Sequence, residues 1–161
     1  MGRVHDEQYR VRLQRRVSEL GLENAVELLE RRPQSELPQV YSAHDVLAFT
    51  TEGPEPFAST LIEAMASGIP IVSSLTGGSA EIVRDGENAC AFRAGDPANL
   101  AEKIAWMLKH PIEAAKMGQV ASADVLANHT LDTQATKIEA FIKARIVPNG
   151  SFPNHIDTMN Q

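Results

Sequence analysis

The sequence lacks several features that would assign it to particular classes of protein. Cysteine occurs once, as Cys90, which excludes an internal disulfide framework and a cysteine-rich zinc site. Lys and Arg total 15 against 21 Asp and Glu, and a net charge of −6 argues against binding to nucleic-acid phosphates. Long apolar runs are missing, so we expect no transmembrane segment, and the charged N-terminus does not resemble a signal peptide. These features favour a cytoplasmic protein.

Length and composition indicate a single globular domain. The chain has 161 residues, of which 43% are apolar and 22% charged. We expect the folded domain to cover residues 1–146. Residues 147–161 are mostly polar, contain two prolines and show no periodicity, so we interpret them as a polar tail.

Short apolar segments alternate with helical patterns along the chain. Apolar residues at helical spacing predict helices over residues 9–20, 35–41, 60–67, 97–110, 112–128 and 131–146. Short apolar runs between turn residues predict buried strands over residues 25–29, 46–49, 69–74 and 89–92. This alternation predicts an α/β fold with a doubly wound, Rossmann-like and mostly parallel sheet.

The candidate binding site follows the strand predicted over residues 46–49. Ligands of doubly wound sheets bind beyond the carboxyl ends of the strands, which here are followed by loops 50–59, 75–79 and 93–96. A helix beginning at Thr60 would present unpaired N–H groups and a positive dipole end to a phosphate. Glu63, one turn further on, would lean back toward the same crevice. A phosphate would repel this carboxylate, so the carboxylate makes sense there only if it accepts hydrogen bonds from donors such as sugar hydroxyls. The pattern therefore suggests a sugar phosphate or a nucleotide.

The same residues have a purely structural interpretation. Thr60 and Glu63 have the spacing of a capping box, in which Glu63 would bind the backbone N–H of Thr60. On spacing alone this interpretation is favoured over a ligand role. Glu55 stands between two prolines and is, without further information, an ordinary solvated loop carboxylate.

Several linked motifs resemble family-four retaining glycosyltransferases with the GT-B fold, the glycosyl transferases group 1. Residues 55–72 are similar to the two-glutamate signature of that family, with seven residues between Glu55 and Glu63. The similarity continues at residues 77–83 (GGSAEIV), 85–88 (DGEN), 95–97 (GDP), 19–22 (ELGL) and 43–46 (AHDV). Motifs in this order are more specific than a lone glycine-rich loop. The resemblance implies the C-terminal, donor-binding domain of such an enzyme.

The resemblance also implies roles for individual residues. Glu55 would bind hydroxyls of the transferred sugar and act as the catalytic residue, and Glu63 would hold the ribose hydroxyls. Backbone N–H groups for the diphosphate would come from Phe57, Ala58, Ser59 and Thr60. The donor substrate would be a nucleoside diphosphate sugar, with neither a metal nor any other cofactor at the site, and the reaction would proceed with retention.

The sequence also departs from the pattern of the family. Ala58 stands where glycine is usual, so its methyl group could crowd the phosphate, and Glu30 stands where glycine is common. In the family, two strands, a basic pair and the acceptor-binding domain precede the part that matches from residue 9 onward, and we do not find them in this sequence. In the sheet, the two strands would lie between the strand predicted over residues 25–29 and the strand predicted over residues 46–49. Without them, we expect exposed sheet edges there. We therefore expect an N-terminally truncated domain, with a second chain supplying the acceptor-binding half.

Two further interpretations stay open at this stage. The chain could be a non-catalytic module that binds a nucleotide or a partner protein. A sugar-nucleotide epimerase ranks lower, because we can place no acid and base pair. Glu81 is expected to tie loops together near the site, or to serve as a cap or salt bridge. The five histidines match no motif and are expected to be surface or packing residues.

Overall fold

A three-stranded parallel sheet forms the centre of the computed structural model, which describes residues 7–30, 32–53 and 59–146. The strands are β1 (Leu47–Phe49), β2 (Ile71–Ser74) and β3 (Cys90–Phe92), and their order in the sheet is β1-β2-β3. Ala48 lies opposite Val72, and Ser73 lies opposite Ala91. The predicted α/β class with parallel strands is confirmed, and β1 and β3 are the edges of the described sheet.

Seven α-helices occur in the described part of the chain. They are α1 (Glu7–Glu19), α2 (Leu37–Ser42), α3 (Ser59–Ser67), α4 (Ser79–Ile82), α5 (Pro97–Lys109), α6 (Pro111–Asn128) and α7 (Leu131–Ile146), and a 3₁₀ turn (Gln34–Glu36) precedes α2. Local signals account for several ends. The Asp96 carboxylate caps α5 by accepting a bond from the amide of Asn99 (3.0 Å), and Gly68 ends α3 with a φ of +77°.

The core lies on both faces of the sheet, because successive side chains of a strand point to opposite sides. Ile71 belongs to the cluster that includes Leu61 and Met65 of α3. Val72, its neighbour in β2, belongs to the cluster that includes Phe92 and Met107 of α5. Helices therefore cover both faces, as the doubly wound prediction requires.

The strand predicted over residues 25–29 is wrong. The amides of Ala25 and Val26 both donate to the carbonyl oxygen of Leu22 at 2.9 Å, and 40% of Val26 is exposed. A strand needs a neighbour to complete its hydrogen bonds, and no described strand lies beside these residues. The segment therefore forms a turn followed by irregular chain. The strand over residues 46–49 does form, but as a half-exposed edge and not as a buried strand.

Several predicted helices are less buried than their patterns suggest. Met107 of α5 is 1% exposed, whereas its apolar neighbour Leu108 is 56% exposed. No residue of α1 is buried, and Phe141 of α7 is also largely exposed. None of the described helices combines the length and the apolar character needed to cross a bilayer. The tail predicted over residues 147–161 lies outside the described residues.

Candidate functional site

The carboxyl ends of the three strands meet at one edge of the sheet. Because α3 connects two parallel strands, it runs antiparallel to them and its first turn lies at this edge. Ser59 is exposed and Thr60 half-buried at the start of the described helix. Backbone N–H groups in the first turn of a helix have no partner within the helix, so this position can bind an anion.

Hydroxyl groups tie together the loops that follow β1 and β2. Ser74 Oγ lies within donating distance of the carbonyl oxygens of Thr51 (2.5 Å) and Phe49 (3.3 Å). Thr76 Oγ1 donates to the carbonyl oxygen of Thr51 at 2.9 Å. The two loops that border the candidate site on the β1 and β2 side are therefore held against each other.

Ser79 fixes the loop after β2 in the motif that spans residues 77–83. Its buried Oγ accepts a hydrogen bond from the amide of Thr76 (2.9 Å) and lies 2.7 Å from that residue's carbonyl oxygen. Gly77 adopts a φ of +55°, a conformation that glycine enters without steric cost. This motif therefore shapes the edge of the sheet through backbone geometry.

Two neutral donors from outside α3 hold the carboxylate of Glu63. Gln34 Nε2 donates to Glu63 Oε1 at 3.2 Å, and the hydroxyl of Tyr41 donates to Glu63 Oε2 at 3.5 Å. Tyr41 is only 8% exposed. Burial and the adjacent charge and hydrogen bond of Glu63 raise the pKa of the Tyr41 phenol, so it remains protonated as a donor. The carboxylate is thereby oriented while keeping lone pairs for further donors.

The capping-box interpretation of Thr60 and Glu63 is wrong. Thr60 lies inside α3, after Ser59, and is therefore not the residue that caps the helix. Among the described residues, the carboxylate of Glu63 bonds to Gln34 and Tyr41 and makes no bond to the Thr60 amide. Its position leaves a ligand role open.

A hollow of about 320 Å³ lies beside Glu63. Its polar wall is formed by Gln34, Tyr41 and Glu63, and apolar surface comes from Leu37, Pro38 and Ala66. This combination of a mostly apolar lining with a few convergent polar groups is typical of small-molecule sites.

The remaining motif residues have structural roles or lie apart from the site. Asn88 is 1% exposed, donates to the carbonyl oxygen of Ile82 (3.0 Å) and accepts from the amide of Arg84 (2.7 Å). Glu81 is exposed and, within the described ranges, makes no side-chain hydrogen bond or ion pair, so neither of its expected roles is seen. Glu30 forms an ion pair with Arg10 at 2.6 Å.

The site residues expected from the sequence are placed only in part. Ser59, Thr60 and Glu63 share α3, whereas Glu55, Phe57 and Ala58 lie outside the described residues. Sequence reasoning missed Gln34 and Tyr41 as partners of Glu63. They precede it by 29 and 22 positions, and no local pattern signals such a contact.

The part of the chain that the structure describes contains no group of three or more His, Cys, Asp or Glu side chains arranged to hold a metal. Two of the described histidines contact neighbouring residues of their own helices. His44 Nδ1 lies 2.6 Å from the carbonyl oxygen of Val40, and the ring of His110 stacks on Trp106 with 4.6 Å between centroids. Both therefore have structural partners.

Comparison with known proteins gives a consistent family match. Residues 1–124 match the family described as glycosyl transferases group 1. A D-inositol 3-phosphate glycosyltransferase of Corynebacterium diphtheriae is 36% identical over 121 residues, which are 75% of this chain and 28% of that protein. The spore coat protein SA of Bacillus subtilis is 29% identical over 94 residues, 58% of this chain and 25% of that protein. The chain thus spans less than a third of the length of these curated relatives.

Solved structures show the same relationship in three dimensions. The crystal structure of HepE from Anabaena in complex with UDP superimposes with a TM-score of 0.81 at 30% identity, covering 86% of this chain and 37% of that one. The same protein has been solved in complex with UDP-glucose. The sucrose-phosphate synthase of Thermosynechococcus elongatus superimposes with a TM-score of 0.80 at 26% identity, over 89% of this chain and 37% of that one. The fold described above is therefore that of the C-terminal half of a GT-B glycosyltransferase.

Proposed function

Because the chain belongs to the glycosyl transferases group 1 family, we propose that it is the donor-binding part of a retaining glycosyltransferase. The donor would be a nucleoside diphosphate sugar, and the sugar would pass to an acceptor hydroxyl or a similar group. The observation that carries this proposal is the carboxylate of Glu63, oriented by Gln34 and Tyr41 at the wall of a hollow along the second half of α3.

The family resemblance implies a role for each site residue. Glu63, with free lone pairs after binding two donors, would accept hydrogen bonds from the ribose hydroxyls. The N–H groups of Phe57, Ala58, Ser59 and Thr60 would meet the diphosphate at the positive end of α3. Glu55 would bind hydroxyls of the transferred sugar and act as the catalytic residue. The structural relative HepE, solved with UDP and with UDP-glucose, supports a ligand of this class.

Catalysis would rest on positioning and charge stabilisation. The bond between the anomeric carbon and the diphosphate oxygen would break, and the diphosphate would keep its electron pair. The acceptor oxygen would bond to the same carbon, and its proton would pass to an oxygen of the departing diphosphate. The basic pair that the resemblance implies would stabilise the charge of the departing diphosphate, a contribution worth about 3 to 4 kcal/mol.

Two further expectations belong to this proposal. A second chain would supply the acceptor-binding half of the enzyme. A cytoplasmic location is supported by the single cysteine, which is buried and unpaired.

Calorimetric titration with UDP, GDP and ADP tests the donor site directly. We expect one of the three nucleotides to bind, and the Glu63→Gln variant to bind it about 5- to 150-fold more weakly, as for a lost charged hydrogen-bonding partner worth roughly 1 to 3 kcal/mol. Glu113→Gln, a substitution on the exposed surface of α6, is the matched control and should bind like the unchanged chain. No binding at millimolar nucleotide by a chain that circular dichroism shows to be folded would refute the proposal.

A turnover assay separates the enzyme from a non-catalytic nucleotide-binding module. Ala58 favours the non-catalytic module, because its methyl group replaces the hydrogen of the glycine that is usual beside the diphosphate. Slow release of nucleoside diphosphate from the matching nucleotide sugar would support the enzyme. Tight binding with no release above the uncatalysed rate would support the module.

A further inference from the structure

The side-chain amide of Gln34 uses only part of its hydrogen-bonding capacity within the protein. Its Nε2 donates to Glu63 Oε1 at 3.2 Å, and this is the only hydrogen bond of the side chain with the described residues. A glutamine amide has two donor hydrogens and one acceptor oxygen. One N–H and the carbonyl Oε1 are therefore available on an exposed residue at the wall of the hollow beside Glu63.

The bond to Glu63 fixes how this amide is turned. A carboxylate repels a carbonyl oxygen, so Oε1 points away from Glu63, and the hydrogen that Glu63 accepts is the one on the far side of Nε2 from Oε1. The second hydrogen lies beside Oε1, and the two form an edge that can hold a planar group through two parallel hydrogen bonds. In this edge the donor lies nearer to Glu63 and the acceptor lies further from it.

The base of a bound nucleotide would reach this edge. This step rests on the proposed function, in which the diphosphate lies at the first turn of α3 and the ribose hydroxyls lie at Glu63. The base and the diphosphate are attached at opposite ends of the ribose, so the base would lie beyond Glu63, along the second half of α3. The hollow lies there, and its apolar walls of Leu37, Pro38 and Ala66 suit the faces of a planar ring.

We propose that the hollow receives the base of the donor, and that Gln34 selects a base in which an acceptor near the ribose is followed by a donor. Uracil presents this order with O2 and the N–H at N3, and guanine presents it with N3 and its amino group. Cytosine has two neighbouring acceptors, O2 and N3, at the corresponding positions. Adenine has a C–H group after its N3 acceptor. Gln34 therefore favours uracil over cytosine and guanine over adenine.

Calorimetric titration of the full chain with UDP, CDP, GDP and ADP tests this selection. UDP and CDP carry rings of the same size, so comparing them isolates the hydrogen-bonding edge, and GDP and ADP form a second such pair. We expect the tighter binder of UDP and GDP to exceed the other member of its pair by about 5- to 150-fold, as for a bidentate contact to a base. Equal affinity within each pair would overturn the proposal. If Glu63→Gln still weakened all four nucleotides, the donor site of the proposed function would stand without base selection by Gln34.

Gln34→Leu separates base selection from the orientation of Glu63. Loss of orientation alone would weaken all four nucleotides by the same factor and leave the ratio of affinities within each pair unchanged. We expect instead that this ratio falls to near unity, because leucine offers neither the N–H nor the carbonyl oxygen. Gln119→Leu, the same substitution at an exposed position of α6, is the matched control and should keep the ratio. A ratio that survives in Gln34→Leu would overturn the proposal.

Ala66→Leu tests whether the base occupies the hollow. Ala66 is an exposed residue of α3 at the wall of the hollow, so a larger side chain there should narrow it. The preferred nucleotide should then bind roughly 5-fold more weakly or worse, as for an overfilled site. Ala115→Leu, at an exposed position of α6, is the matched control and should bind normally. Unchanged affinity in Ala66→Leu would overturn the proposal, and a folded chain that binds none of the four nucleotides would refute it together with the proposed function.

Discussion

Gly118 on α6 lies so close to Gly68 that a Cβ atom at position 118 would be 2.1 Å from the carbonyl oxygen of Gly68. The C-terminal end of α3 is therefore in direct backbone contact with α6. Ser122 Oγ, one turn further along α6, donates to the carbonyl oxygen of Ala66 at 3.1 Å. The helix that carries Ser59, Thr60 and Glu63 is thus anchored at the end opposite to the candidate site.

Replacing Gly118 by alanine should destabilise the protein. Alanine favours an α-helix over glycine by up to about 1 kcal/mol, but the added methyl group would force the backbones of α3 and α6 apart. Overpacking of this kind costs about 1 to 3 kcal/mol or more, so the net effect is a loss. Urea denaturation measures it. Gly53→Ala is the control, because a Cβ there would meet no heavy atom of the described residues within 4 Å, and it should change stability little. An unchanged midpoint for Gly118→Ala would contradict the close contact.

Two adjacent serines of β2 should respond in opposite directions to the same substitution. Both are fully buried. Ser74 Oγ bonds to carbonyl oxygens after β1, whereas Ser73 Oγ has no hydrogen-bond partner among the described residues. A buried hydroxyl without a partner costs about 1 to 3 kcal/mol, so we expect Ser73→Ala to raise the melting temperature. Ser74→Ala should lower it, because it removes a buried hydroxyl that bonds to the carbonyl oxygens of Thr51 and Phe49. Thermal unfolding of both variants checks the pair, and two shifts of the same sign would disprove it.

The sequence predicts the elements whose signals are local. The helices predicted over residues 97–110 and 112–128 carry signals for their own ends. Their predicted bounds agree with those of α5 and α6 within a few residues. The strand at 25–29 fails because its stability depends on a neighbouring strand, which its own residues cannot indicate. The contact between Glu63 and Tyr41 was missed for a similar reason, since it depends on how α2 packs against α3. Helix geometry directed Glu63 toward the crevice, but its spacing from Thr60 favoured a cap, and the family motif then favoured a ligand role.

Cys90 should be a poor nucleophile in the folded protein. It is 7% exposed, and burial is the main cause that raises the pKa of its thiol, with a further rise from Asp85 opposed by Lys103. We expect alkylation by iodoacetamide at pH 8 to be at least about tenfold slower in the native chain than in urea. Because the pKa of the thiol is higher in the folded than in the unfolded protein, the protonated thiol contributes to stability below the unfolded pKa. That contribution is lost as the pH rises from the unfolded pKa through the folded one. Stability should therefore fall above about pH 9, and less steeply in Cys90→Val. Equal alkylation rates with and without urea would refute this.

Tyr41→Phe tests whether the contact with Glu63 serves nucleotide binding. The variant keeps the ring that fills the core and removes only the hydroxyl that donates to Glu63 Oε2. A single hydrogen bond contributes about 0.5 to 1.5 kcal/mol, so nucleotide affinity measured by calorimetry should fall roughly 2- to 10-fold, less than in Glu63→Gln. Tyr9→Phe, at an exposed position of α1, is the matched control and should bind normally.

The nucleotide affinities of the unchanged chain and of Tyr41→Phe can also be compared as a function of pH. This comparison shows whether the Tyr41 hydroxyl orients Glu63 or is only buried. Because burial and Glu63 raise the pKa of Tyr41 above the ordinary 10.0, the hydroxyl donates throughout the neutral range. The difference in affinity between the unchanged chain and Tyr41→Phe should therefore be constant below about pH 10. It should shrink only as the pH rises past the raised pKa, where the phenolate would repel Glu63. If Tyr41→Phe binds nucleotide as tightly as the unchanged chain at neutral pH, Tyr41 contributes packing alone, and Gln34 is left as the only described donor that orients Glu63.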